Sequence, residues 1–258
     1  MITNTHYLQP TKYIISRYIY EYDMSKANIS VLYSCGVISK EEYDYYYNLP
    51  KSIREKEIGI RRKDKEFDTI LSNLIQEYRI KFIESNNIED DKILSIKNDA
   101  LFILDSPANI TKFDNVEFTK RNVYTSYFNL NKMEIYYNLD IINNIETLDV
   151  KGIRDDKLKL HQDYFVNFLC TIFDNFQNKP IVETIKEISW FYDNYLKRYL
   201  DIGYYREFNS SSQYSLYSKS KYYKFDMMDE KYLDKIDISC NLNIIRELYQ
   251  IASSIVMK

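Results

Sequence analysis

Two short stretches constrain this chain more than any others: Tyr20 to Leu32, and Ile93 to Leu104. Each sets one carboxylate where a strand gives way to a turn. Arg17 to Asp23 is rich in Tyr and Ile and reads as a strand, after which Ser25 is placed to N-cap a short apolar helix that stops at Gly36. Asp23 is therefore expected at a strand's end. In the second stretch, two runs of β-branched and aliphatic residues flank Asn98-Asp99, a pair suited to a tight hairpin because both residues tolerate positive φ. Asp99 is expected at or beside the hairpin tip. Carboxylates at a strand end and a neighbouring hairpin tip can hold divalent cations for phosphoryl or nucleotidyl transfer. The plainer reading makes Asp99 a turn former and Asp23 a cap-like residue.

Periodicity divides the chain in two. Residues 1–155 mix strands and helices, and residues 156–258 are mostly helical. Ser39 with Glu42, and Ser52 with Glu55, form capping-box patterns for two short helices separated by Pro50. A longer helix is predicted over about Glu66 to Asn86, with Phe67, Ile70, Leu71, Leu74, Ile75, Tyr78 and Phe82 at helical spacing. It is expected to pack beneath the Asp99 hairpin. Val123 to Leu130 and Glu134 to Tyr137 read as a second hairpin, and Leu148 to Ile153 as another strand. Helices are then predicted near Asp156 to Phe176, Ile181 to Leu200 (through Ile185, Ile188, Trp190 and Leu196) and Asn241 to Val256, with Asn209 to Gln213 as the most loop-like segment.

Composition excludes several function classes. The 258 residues suffice for one large domain or two small ones. The 27 Tyr against one Trp, with four Gly and four Pro, fit an AT-rich genome, such as that of a virus or low-GC bacterium, and their first reading is core and surface packing rather than base-stacking platforms. A formal charge of −3 and a pI near 5.6 argue against binding nucleic acid over the whole surface. Local patches remain. Lys51 to Lys65 holds seven basic residues, and Lys219, Lys221 and Lys224 interleave with Tyr217, Tyr222, Tyr223 and Phe225. Cys35, Cys170 and Cys240 are widely spaced and odd in number, which suits a reducing cytoplasm and not a zinc ribbon. With only His6 and His161, a His-based metal site or a Ser-His-Asp triad is not expected. Met1 to Pro10 lacks the features of a signal peptide, and no apolar run is long enough to span a membrane, so a cytoplasmic protein is expected, in the host cytoplasm if viral.

Asp23-Met24-Ser25-Lys26-Ala27-Asn28-Ile29-Ser30-Val31-Leu32 resembles the first palm motif of family B DNA polymerases, D-x-x-S-L-Y-P-S-I-I. Ile96-Lys97-Asn98-Asp99-Ala100-Leu101-Phe102-Ile103 resembles the third, Y-G-D-T-D-S-I-F. Arg121-Asn122-Val123-Tyr124 is similar to the family's K-K-x-Y element, and Val150-Lys151-Gly152-Ile153 to the V-K-G-[IV] that follows. The four occur in the family's order, over roughly residues 17–155. The departures are Lys97 where the third motif has its first acidic residue, and Asn28 where the first has its sugar-gating Tyr. The fingers motif K-x-x-x-N-S-x-Y-G has no clear copy, and no exonuclease domain is expected ahead of residue 17.

The resemblance implies an α+β protein: a polymerase-like palm over residues 1–155, its antiparallel sheet backed by helices, then a helical thumb-like subdomain over 156–258. It implies a minimal or split polymerase-like nucleotidyltransferase, of phage or low-GC bacterial origin, in which Asp23 and Asp99 hold two Mg²⁺ or Mn²⁺ ions. Lys56, Arg61 and Arg62 are the cations available to a triphosphate, with Asn28 beside the nucleotide. Arg121, Tyr124 and Lys151 would grip primer-template DNA, and other polymerase or replisome chains would supply missing parts. The alternative is a non-catalytic, palm-derived interaction or structural protein of a viral replisome or particle. Lys97 and Asn28 favour this alternative; retention of both aspartates favours the enzyme.

Overall fold

The computed structural model describes residues 11–210, 213–217, 221–224 and 228–257. His6, Lys219, Phe225, the Met1 to Pro10 segment and the centre of the Asn209 to Gln213 loop lie outside the described residues. The chain forms a mixed α+β fold, with an antiparallel sheet backed by helices and a helical C-terminal region. It makes two compact units, Tyr18–Val123, and Thr11–Arg17 with 124–257. The strands from 124 to 150 thus belong with the helices that follow, and the 155/156 boundary read from the sequence falls inside the second unit.

In the first unit, strand β1 (Tyr13–Met24) is longer than the expected Arg17 to Asp23. It leads into helix α1 (Ala27–Ser34), which ends before Gly36 at φ 69°. The expected Ser25 cap is not formed. The preceding residue of α1 is Lys26 in the left-handed region, without a side-chain cap, and the Ser25 hydroxyl meets Thr119 at 2.7 Å. Helix α2 (Lys40–Asn48) has the full capping box between Ser39 and Glu42. Helix α3 (Lys51–Arg61) does not use Ser52 as a cap: Pro50 precedes it, its carbonyl accepting from Ile53 and Arg54, so Ser52 already lies within the first turn. Helix α4 (Lys65–Ser85) is capped by Asp64.

Strands β2 (Ile93–Lys97) and β3 (Ala100–Leu104) form the expected hairpin, its positive φ supplied by Asn98 at 51°. The order in this unit is β2-β3-β1, then the first half of β5 (Val116–Leu130), with the short β4 (Lys112–Phe113) also on β5. The core joins Leu71, Ile75 and Phe82 of α4 to Tyr22, Ile96, Leu101 and Ile103 of the sheet. The long helix therefore backs the hairpin.

In the second unit, β5 pairs with β6 (Met133–Asp140) across Asn131 and Lys132, and β6 with β7 (Ile145–Val150). Both turn residues take positive φ, 48° and 67°. The helix expected near Asp156 to Phe176 is broken: α5 (Asp155–Leu158), a 3₁₀ turn and a π segment precede α6 (Asn167–Asn178). Tyr164 departs from helical geometry, at φ −127° and ψ −107°, and its ring lies against Gly203. Helix α7 (Ile181–Lys197) buries Thr184, Ile188, Phe191 and Tyr195, leaving Trp190 and Leu196 exposed, contrary to the apolar stripe read from the sequence. Strands β8 (Gln213–Leu216) and β9 (Lys221–Lys224) form a separate hairpin, and α8 (Ser239–Val256) packs into this unit's core with α6 and α7. Much of the tyrosine is interior, including Tyr22, Tyr124, Tyr127, Tyr136 and Tyr195.

Candidate functional site

Strand β1 delivers Asp23 one residue before its end, in register with Ala100 of β3. The Met24 amide donates to the Asp99 carbonyl at 3.1 Å, tying the strand end to the hairpin tip. From the other side, the buried Arg79 of α4 donates Nη1 to the Asn98 carbonyl at 2.7 Å. Both aspartates line one cleft of about 160 Å³. The start of α1 adds Lys26 and Asn28 to its wall, and the N-terminal part of α3 adds Lys51, Arg54 and Glu55.

Electrostatics in this cleft are divided. Burial pushes the Asp23 carboxyl above its ordinary value, the Asp99 charge adds to this, and Arg121 opposes it. Arg121 donates Nε to Asp23 Oδ2 at 3.3 Å, with Nη2 at 3.2 Å from the same oxygen. Burial likewise raises Asp99; its own backbone amide and the Lys51 charge oppose the shift, while Glu55 reinforces it. Partial burial of two carboxylates near one another thus outweighs the surrounding cations.

The predicted residues are gathered only in part. Asp23, Asp99, Asn28 and Arg121 share the cleft. Arg61 pairs with Glu42 at 3.5 Å, and Lys56 is exposed on α3. Arg62 pairs with Asp68 at 2.6 Å and lines an adjoining depression with Asn28, Arg79 and Asp99. The cations at the cleft itself are Lys26, Lys51, Arg54 and Arg121. Lys51 and Arg54 were legible only as part of a basic run; Arg79 was marked by its place in the apolar stripe of α4, between Ile75 and Phe82. Lys97 ends β2, exposed and opposite Ala100. In the second unit Tyr124 is fully buried, its hydroxyl donating to Asp149 Oδ2 at 3.1 Å, and Lys151 pairs with the same carboxylate.

Among the described residues, no group of three or more His, Cys, Asp or Glu side chains is placed to hold a metal ion. Asp23 and Asp99 are nevertheless the hard oxygen donors that Mg²⁺ or Mn²⁺ takes, and Mg²⁺ is commonly held by one or two carboxylates with water and substrate phosphate. No helix of the described residues is long and apolar enough to cross a membrane. The family model described as Bacteriophage PBS1 gene 130 protein matches residues 3–254 of the chain. No curated protein matches it.

Proposed function

Since this chain belongs to the family of the bacteriophage PBS1 gene 130 protein, we propose that it is a palm-derived, non-catalytic component of a phage replisome or particle. The carrying observation is the Arg121 guanidinium on Asp23 Oδ2, which satisfies with a protein cation the carboxylate that a polymerase palm reserves for metal. Lys97, in place of an acidic residue at the hairpin, agrees with it. The order of strand, short helix, helical insertion, hairpin and following strands supports descent from a palm. Fold alone does not supply activity.

A second reading, a minimal nucleotidyltransferase acting on primer-template DNA, is favoured by one observation: Asp23 and Asp99 line the same cleft as Lys51 and Arg54. Under it, the two aspartates would hold Mg²⁺ or Mn²⁺, which supplies activation of a hydroxyl nucleophile and neutralisation of the leaving pyrophosphate. Lys51 and Arg54 would face the triphosphate charge.

Primer extension decides between them. Purified protein with Mg²⁺ or Mn²⁺, nucleotides and a primed template is expected to give no extension, alone or with co-purifying phage chains. Extension that disappears in both Asp23→Asn and Asp99→Asn overturns the scaffold reading and establishes the enzyme.

A further inference from the structure

The β8–β9 hairpin carries a feature that the cleft does not explain. Its register sets Ser215 opposite Tyr222 and Gln213 opposite Lys224, so these four share one face. A bridge between Leu216 and Ile236, with Tyr217 N donating to Lys235 O and Asp237 N to Ser215 O, adds the 235–237 segment as a third strand-like member. By strand alternation, Tyr217 and Lys235 join the face of Ser215 and Tyr222. Tyr217 and Tyr222 are 57% and 56% exposed. They are diagonal neighbours, a relationship that sets side chains about 7–8 Å apart.

Exposed tyrosines are common in this chain, but Tyr217 is held. Arg198, in the left-handed region after α7, donates to the carbonyls of Leu233 and Ile236 and to the Tyr217 hydroxyl, and its guanidinium lies over the Tyr217 ring. Lys224 is exposed and has no ion-pair partner among the described residues. Asp237 shares the face, but its Oδ1 accepts from the Ser239 amide. Three cations, Arg198, Lys224 and Lys235, thus border two solvent-facing rings.

We propose that this face binds single-stranded nucleic acid, the two tyrosines stacking successive bases while the cations contact phosphates. Charge complementarity argues for the polyanion, and the paired rings argue for unpaired bases, since a duplex keeps its base faces covered. The proposal is independent of whether the aspartate cleft is catalytic.

Fluorescence anisotropy with the full chain and a labelled oligothymidylate of about 12 nucleotides tests it. Wild type is expected to bind the single strand more tightly than a duplex of equal length. Tyr222→Ala should weaken binding about tenfold while Tyr222→Phe retains it. Lys224→Gln should reduce the slope of log affinity against log salt by about 0.7. Lys40→Gln, which removes an exposed lysine of α2 remote in sequence from the hairpin, should leave all of this unchanged. Absence of single-strand binding, preference for the duplex, or a Tyr222→Ala variant that binds as wild type would each overturn the proposal.

Discussion

Arg121 places Nε and Nη2 at 3.3 and 3.2 Å from a single oxygen of Asp23, Oδ2. The contact joins β5 to the end of β1 and sets a cation beside two carboxylates, Asp23 and Asp99, that burial raises even with it in place. A divalent ion bound here would have to compete with the guanidinium for the same oxygen. This competition makes the metal question an equilibrium that substitution can shift.

Arg121→Gln is expected to tighten Mn²⁺ binding several-fold by calorimetric titration, because it removes the competing cation. Arg121 is half exposed, so its pairing should be worth under about 1 kcal/mol of stability, and thermal unfolding should change little. Unchanged Mn²⁺ affinity would show that Arg121 does not control access to Asp23.

Lys97 sits two residues before Asp99 on the same hairpin. A positive charge there opposes cation entry, so Lys97→Asp should bind Mg²⁺ and Mn²⁺ more tightly than wild type, with Lys97→Gln between them. Tighter binding by wild type would mean that the lysine assists the site.

The parts legible in the sequence were those governed by local sterics. Asn98 and Gly36 take positive φ where their residue types predicted a turn and a helix end. The stripe of α4 likewise placed that helix within a residue of its observed bounds. What was missed depends on distant partners. The Ser25 hydroxyl is taken by Thr119, 94 residues away. Lys51 and Arg54 reach the aspartates only through the packing of the helical insertion. Nothing in the spacing of residues 156–176 revealed the break at Tyr164, whose ring lies against Gly203 on a later segment of the chain.

That break gives a third prediction. A Cβ on Gly203 would stand 2.3 Å from atoms of the Tyr164 ring. Gly203→Ala must therefore displace the ring or the backbone, at a cost of about 1–3 kcal/mol, less where the ring swings outward. Tyr164→Ala combined with Gly203→Ala should recover most of the loss, and the shortfall from additivity measures the clash. Additive thermal shifts would place the strain elsewhere.

His161 supplies the pH dependence. It is fully buried, edge-on to Phe208, with neither ring nitrogen hydrogen-bonded, and burial together with the neighbouring Arg206 charge lowers its pKa to about 3. The folded protein thus keeps the imidazole neutral, whereas the unfolded chain protonates it near the ordinary value of about 6.5. Its contribution is complete above that value and is lost as pH falls towards 3, on the order of a few kcal/mol in all. Raised Asp23 and Asp99 act in the opposite sense, losing stability as pH rises through their folded values. Denaturant unfolding between pH 7 and pH 4 should therefore fall less steeply for His161→Leu than for wild type. Parallel curves would show that the imidazole does not drive the acid limb.

Tyr124 separates a polymerase-like contact from a structural one. The resemblance to a K-K-x-Y element assigns it to nucleic acid, yet its side chain is fully buried, tilted against Tyr136, and its hydroxyl donates to Asp149, which Lys151 also pairs. A hydroxyl so placed has no surface to offer a DNA backbone. Tyr124→Phe removes one hydrogen bond to a carboxylate and leaves the ring, so it should destabilise the chain by about 1–2 kcal/mol. Asp149→Asn should lose a similar amount, and the double variant less than the sum, because both remove the same contact. Binding of primer-template DNA, measured by anisotropy at fixed salt, should not respond to Tyr124→Phe beyond the stability change. A Tyr124→Phe variant with wild-type stability but weakened DNA binding would return this tyrosine to the role that the motif implies.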